Sequence, residues 1–323
     1  MRDAKSQELI ENIKTEIHRL VIGQEKVVLA LIRGILADGN VLLEGVPGLA
    51  KTVIIRTLAE ILNCDFKRVQ FTIDLLPSDI TGVNSFDPKT SDYKIVKGPI
   101  FTNLLLADEI NRASPKVQSA LLEAMAEKQV TLGNETQKLP DPFFVFATQN
   151  PLESLGTYPL PQAQLDRFIF KLIIGYPKQS EEVQIIDSNL AAHSHKKNNG
   201  VKSLIEKSDI KKMQADVRAI FIHDSLKMYA VQIINATRYP KKFGLKNADY
   251  IEVGCGPRAT ISLVQAAKAE AYLNGRDFVT PHDFHQVAHD VLRHRLEVNY
   301  LGQAKGISSD KVVTEILATV HVP

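Results

Sequence analysis

The chain has 323 residues, enough for two domains and a sizeable core. Hydrophobic residues make up 44% and charged residues 24%, ordinary for a soluble globular protein, and no apolar run approaches the ~18 residues of a membrane span. Lys and Arg (39) nearly balance Asp and Glu (37), so the net charge of +2 argues against a nucleic-acid footprint and leaves the scattered Lys pairs as solvated surface. Cys64 and Cys255 lie far apart without metal-type spacing, so no disulfide framework is expected and the setting is read as reducing and cytoplasmic.

In chain order, MRDAKSQELIENIKTEIHRL predicts an amphipathic, charge-rich helix, not a signal peptide. Val21, Ile22, Gly23 and Gln24 connect it to a second amphipathic helix that ends near Gly39. That helix feeds the next motif, which makes Val21, Ile22 and Gly23 candidates to pack against a nucleotide base. The chain is organised around residues 40–52, NVLLEGVPGLAKT. Asn40 to Leu43 predicts a short buried strand, the run Gly45, Val46, Pro47, Gly48, Leu49, Ala50 a turn, and Lys51, Thr52 and Val53 the start of a helix. Small residues in such a turn let backbone N–H groups face an anion, and the helix N-terminus adds about half a positive charge. Lys51 is placed to reach β- and γ-phosphates, and the Thr52 hydroxyl to ligate Mg²⁺. Ala50 stands where the general pattern G-x-x-x-x-G-K-[ST] has its second glycine. Alanine suits a helix start with negative φ, so the loop is expected to close.

Lys67 to Thr72 predicts a second strand. The Pro-, Gly- and Asp-rich stretch 74–103 follows, with Phe86 and Tyr93 flanking DPKTSD, and predicts a hairpin outside the main sheet. An excursion of that length is more often functional than decorative. Leu104 to Ser114, LLLADEINRAS, predicts a buried parallel strand with Asp108 and Glu109 at its C-terminal edge, where open α/β sheets bind ligands. Asp108 can hold Mg²⁺, directly or through water, and Glu109 can orient and deprotonate an attacking water. An acidic pair can equally cap a helix; its place downstream of a phosphate loop is what makes it a site.

Ser114 and Pro115 open a further helix, and QVTLGNETQKL predicts a hairpin turning at Gly133-Asn134. Phe143 to Ala147 predicts a fourth buried strand with Thr148, Gln149 and Asn150 at its tip. From there Asn150 could bridge a γ-phosphate and the water held by Glu109. Residues 157–174 predict a short helix, then Asp166-Arg167, then a fifth strand. Arg167 either pairs locally with Asp166 or enters a neighbouring subunit's nucleotide as an arginine finger.

From Pro177 the αβ alternation stops, which puts a boundary between an αβα domain (1–177) and a helical domain (178–323). Helices are expected over 179–191, about 208–218, 223–237, 257–274, 281–296 and 309–319, with HSHKKNNG (193–200) a flexible loop. Pro257 suits the first helical position and puts Arg258 on the first turn, within reach of a γ-phosphate if the helical domain folds over the loop. His285 and His289 share a helix face near His282 but lack a third ligand, so they are read as surface or interhelical histidines.

The motifs GVPGLAKT (45–52), LLADEINRA (105–113), ATQNP (147–151), LPQAQLDRF (160–168) and GPRAT (256–260) resemble, in that order, the AAA+ ATPase superfamily and within it the MoxR family. Ala at position 50 is itself typical of that family. The resemblance implies an α/β P-loop NTPase fold, a three-layer αβα domain on a five-stranded parallel sheet followed by an all-α lid, with ATP between them. It implies P-loop roles for Lys51 and Thr52, Walker B roles for Asp108 and Glu109, and a sensor 1 role for Asn150. Arg167 takes the finger position, with Arg112 a second candidate across subunits, and Arg258 resembles sensor 2. It further implies Mg²⁺-dependent ATP hydrolysis in a homo-hexameric ring, with hairpin insertions at 77–99 and 128–140 near the pore or substrate. Chaperone-like remodelling, maturation or metal insertion of partner proteins, often with von Willebrand factor A domains, is the implied purpose. The rival readings are a nucleic-acid motor on the same core, disfavoured by the charge, a magnesium-chelatase-like subunit, and a nucleotide-gated scaffold with negligible turnover.

Overall fold

The computed structural model describes residues 4–88, 92–152, 156–194 and 203–323. Five parallel strands form the central sheet: β1 (Asn40–Glu44), β2 (Phe66–Gln70), β3 (Leu104–Asp108), β4 (Phe144–Gln149) and β5 (Phe168–Ile173). Their spatial order is β2-β3-β4-β1-β5. The two apolar runs β3 and β4 take interior places, as strands covered on both faces must. The mixed run FKRVQ takes an edge, and β2 ends two residues before its predicted limit, at Gln70.

Side-chain alternation divides the core into two layers. Along β4, Phe144 and Phe146 join Leu31, Ile35 and Leu58 on one face, while Val145 and Ala147 join Leu105, Val117 and Leu121 on the other. This order brings the C-terminal ends of β1, β3 and β4 side by side. Register then levels Leu43 with Thr148, and Gln70 with Asp108.

Both predicted hairpins stand outside the sheet. Gly82–Asp87 pairs with Asp92–Lys97, with Phe86 and Tyr93 edge to face at 5.4 Å, and Gln129–Leu132 pairs with Glu135–Lys138. The tip of the first, residues 89–91, lies outside the described residues. A short helix, Pro77–Thr81, precedes it, an element for which the sequence carried no expectation.

The C-terminal region is built on helices Gln179–Ser194, Lys207–Ala219, Asp224–Arg238, Pro257–Leu273, Pro281–Leu292 and Ser309–Thr319. The loop expected over 193–200 lies outside the described residues from 195 onward, and residues 193 and 194 complete a helix. The region is not purely helical, since Ile251–Val253 and Glu297–Val298 form a small antiparallel pair. The helix expected over 281–296 stops at Leu292. Residues 293–295 instead turn onto the open edge of β5, whose carbonyls need donors. Arg293 Nη1 donates to the Lys171 carbonyl (2.8 Å), His294 Nε2 to Phe168 (3.0 Å) and Arg295 Nη1 to Ile169 (3.1 Å).

The helical region and the sheet share one buried core. An ion pair between Arg33 and Glu270 (2.6 Å) and a bond from Gln214 to the Ile35 carbonyl (2.8 Å) cross between them. His285 meets the Tyr229 hydroxyl (3.0 Å) and His289 meets Asp310 (3.2 Å), so both are interhelical, and no metal-type cluster occurs among the described residues. Burial pushes the free thiols of Cys64 and Cys255 up to about 11.

Candidate active site

The loop after β1 is shaped by close approach. A Cβ on Gly45 would lie 2.9 Å from the Ile174 carbonyl oxygen, so only glycine fits, and the Gly45 N–H donates to Gln149 O (3.2 Å). Gly48 has φ +87°. Ala50 has φ +55°, which corrects the expectation of negative φ: it is the residue before the helix Lys51–Ile61, not its first turn. An L-residue in this left-handed conformation costs about 1–2 kcal/mol. Strain of this kind persists where the surrounding structure over-determines a functional turn.

The Lys51 ammonium donates to the Gly45 carbonyl. Burial lowers its pKa against the opposing pull of the Asp108, Glu109 and Glu44 carboxylates. Asp108 is buried, and its Oδ2 accepts two bonds from Arg68 (2.9 and 2.7 Å). Its Oδ1 accepts the Thr148 hydroxyl proton (2.5 Å), and the same hydroxyl accepts the Glu109 N–H (2.8 Å). Glu109 itself sits at φ +57°, turning its side chain out of the strand line into the site. There Oε2 accepts from Gln70 Nε2 (2.6 Å) and Arg112 Nη1 (3.1 Å). Asn150 is buried, with Oδ1 accepting from the Leu152 N–H (3.2 Å).

These groups surround one cleft of about 360 Å³, lined by the loop from Pro47 to Val53 together with Arg68, Gln70, Asp108, Glu109 and Asn150. Lys51 and both acids therefore share one end of the sheet. The Thr52 hydroxyl and the Asp108 carboxylate supply the hard oxygen donors that suit Mg²⁺.

Other candidates lie elsewhere. Gly45 and Val46 form the base of the loop, Val46 packing on the core. Val21 is buried, Gly23 (φ +78°) lies against Glu181, and Gln24 donates to the Gly175 carbonyl (3.2 Å); none of these lines the cleft. Arg167 donates to the Leu122 carbonyl (2.7 Å), outside the cleft. Arg258 is 65% exposed and lies 3.9 Å from Asp166, also outside it. Arg112 holds its own chain's Glu109. Sequence reasoning missed Arg68, Gln70 and Arg295. For the first two, the available signal was their i, i+2 spacing, which puts both side chains on one face of a strand.

Comparison with known proteins agrees with this geometry. The model of the ATPase family associated with various cellular activities (AAA) matches residues 40–170, and that of the AAA lid domain matches residues 245–316. The chain is 41% identical to Chaperone MoxR1 of Mycobacterium tuberculosis over 97% of its own length and 82% of that protein. It is 45% identical to YeaC of Bacillus subtilis, described as uncharacterized, over 95% of its length and 92% of that protein. Protein MoxR of Methylorubrum extorquens is 28% identical over 95% of this chain and 93% of its own. The crystal structure of a candidate ATPase from Cytophaga hutchinsonii superposes with a TM-score of 0.91 at 42% identity, covering 98% of this chain and 96% of that one. With a phosphate loop and an acidic strand end on one sheet edge, and relatives matched along nearly its whole length, the chain belongs to the MoxR family of AAA+ ATPases.

Proposed function

We propose that this protein hydrolyses ATP with Mg²⁺ in the cleft and uses the cycle to remodel partner proteins. The convergence of Lys51, Thr52, Asp108 and Glu109 on one cavity carries the reading. The backbone amides of the loop and the Lys51 ammonium cradle the phosphates, while Thr52 and Asp108 hold the metal. Bound Mg²⁺ supplies charge screening of the phosphate oxygens. Glu109 accepts a proton from the attacking water once its carboxylate leaves Gln70 and Arg112, and the Asn150 amide orients that water.

Arg167 and Arg258 flank Asp166, away from their own chain's cleft, which supports a role for both on a neighbour's γ-phosphate in a head-to-tail hexameric ring. Residues 1–177 serve as the nucleotide-binding domain and 178–323 as the lid. The name of the mycobacterial relative supports a chaperone-like role. The exposed apolar residues Val83, Phe86, Tyr93 and Val96 of the first hairpin suit contact with client proteins or with a von Willebrand factor A partner. Glu109→Gln tests the chemistry: ATP affinity stays near that of the parent while turnover falls about 100-fold or more. Parent-like turnover would remove Glu109 from the mechanism.

A further inference from the structure

A second cleft, of about 630 Å³ and sharing no residue with the first, lies between the end of helix Glu25–Leu36 and the helices Lys207–Ala219, Asp224–Arg238 and Pro257–Leu273. Its floor is aliphatic, including Val217, Val231, Ile261 and Val264, and Ile261 and Val231 are 59% and 39% exposed. Arg218, Lys227 and Lys268 stand around it. Lys268 donates to the Arg218 carbonyl (2.8 Å), and burial together with the nearby charge of Lys227 lowers its pKa. Lys227 pairs with the exposed Asp224 (2.8 Å), and Asp38, at the other end of the groove, is paired with Lys128 (2.9 Å). A segment that is both aliphatic and acidic complements this surface.

The position of the groove indicates its occupant. Ile261, Gln265 and Lys268 follow Arg258 on one helix at i+3, i+7 and i+10, a common face running about 15 Å. A neighbour whose phosphates meet Arg258 therefore also covers the groove. Near the other end of helix Glu25–Leu36, helix Gln179–Ser194 begins against Gly23, where a Cβ would meet Glu181 Oε2 at 2.7 Å. This helix carries Glu181, Glu182 and Asp187 and no Lys or Arg, and Val183 and Ile186, one turn apart, are each 57% exposed. The helix start and the groove adjoin opposite ends of the 12-residue helix Glu25–Leu36, roughly 18 Å apart, so they do not meet within one copy.

We propose that the segment Glu182–Asp187 of a second copy occupies this groove, with Val183 and Ile186 on the aliphatic floor and Glu182 and Asp187 against Lys227 and Lys268. The contact is heterologous, the type that closes rings, and it rests on the reading above that Arg258 acts on a neighbour. The test is sedimentation velocity with ATP on Glu109→Gln protein carrying Glu182→Lys, Lys268→Glu, Lys227→Glu, or Glu182→Lys paired with each lysine change. Each single change is expected to raise the concentration needed for assembly about tenfold, and at least one pairing to recover most of that loss. Singles that assemble like the parent, or pairs whose losses simply add, overturn the proposal. Binding of a fluorescent ATP analogue, measured on the same samples, reports the cleft separately: a parent that binds nucleotide but never assembles sinks the contact and spares the cleft.

Discussion

Thr148 sets the angle between the two acids. Its hydroxyl donates to Asp108 and accepts the Glu109 N–H, so one side chain holds the Asp108 carboxylate and the left-handed turn at Glu109. Thr148→Val keeps the shape and removes both bonds. The expected result is a loss of about 1–3 kcal/mol in stability, the usual cost of unsatisfied buried polar groups. Turnover should fall about tenfold or more beyond any change in ATP affinity, read by steady-state kinetics beside thermal melts. At this scale the acidic pair was legible because it ends an apolar run, and Lys51-Thr52 because it follows a glycine turn. Arg68 and Gln70 were not legible as site residues. Their partners, Asp108 and Glu109, are set by strand order and register, which no local pattern encodes. The conformation of Ala50 was misread because a helix-start preference was applied one residue too early.

The edge strand β5 and residues 293–295 form the clearest junction between the sheet and the helical region. Arg295 is 3% exposed, pairs with Asp166 (2.7 Å) and also donates to the carbonyls of Phe168 (2.6 Å) and Ile169 (3.1 Å). Burial lowers its pKa against the pull of Asp166. Arg295→Met leaves the Asp166 carboxylate without its closest cationic partner and removes a donor from the Phe168 and Ile169 carbonyls, and the expected loss is about 3–5 kcal/mol in chemical denaturation. A variant as stable as the parent would show the clamp to be dispensable.

His294 beside it is buried, and its Nδ1 has no partner among the described residues. Burial, with Arg295, Lys171 and Arg293 nearby, holds its pKa well below the ordinary 6.5. The unfolded chain therefore takes up a proton that the native state refuses. The contribution of His294 is complete above about pH 6.5 and is lost as pH falls from there toward the depressed native value. Melting temperatures measured from pH 7.5 to 5.5 should fall less steeply for His294→Gln than for the parent; parallel curves would contradict this. The clamp escaped sequence reading because the apolar periodicity of VLRHRL continues the helix, whereas the open carbonyls of β5 end it. The strands themselves were legible to within two or three residues, since buried parallel strands are continuous apolar runs bounded by turns.

For the whole molecule, the proposed function requires each cleft to be completed by its neighbour. Arg258 lies 3.9 Å from Asp166 and Arg167 donates to the Leu122 carbonyl, whereas Lys51, Asp108 and Glu109 line the cleft, so under this proposal the two halves of one site lie apart within a single copy. The five-stranded architecture was legible from αβ alternation, but the distance between these halves was not, because it depends on how the helical region docks. The most direct test mixes two variants, Glu109→Gln and Arg167→Ala, each purified alone and inactive as a homogeneous ring. At equal amounts, about a quarter of the interfaces join an intact Glu109 to an intact Arg167. The mixture is expected to recover ATP turnover to about that fraction of the parent rate. A mixture no more active than its two components, under conditions where they co-assemble, would contradict the proposal.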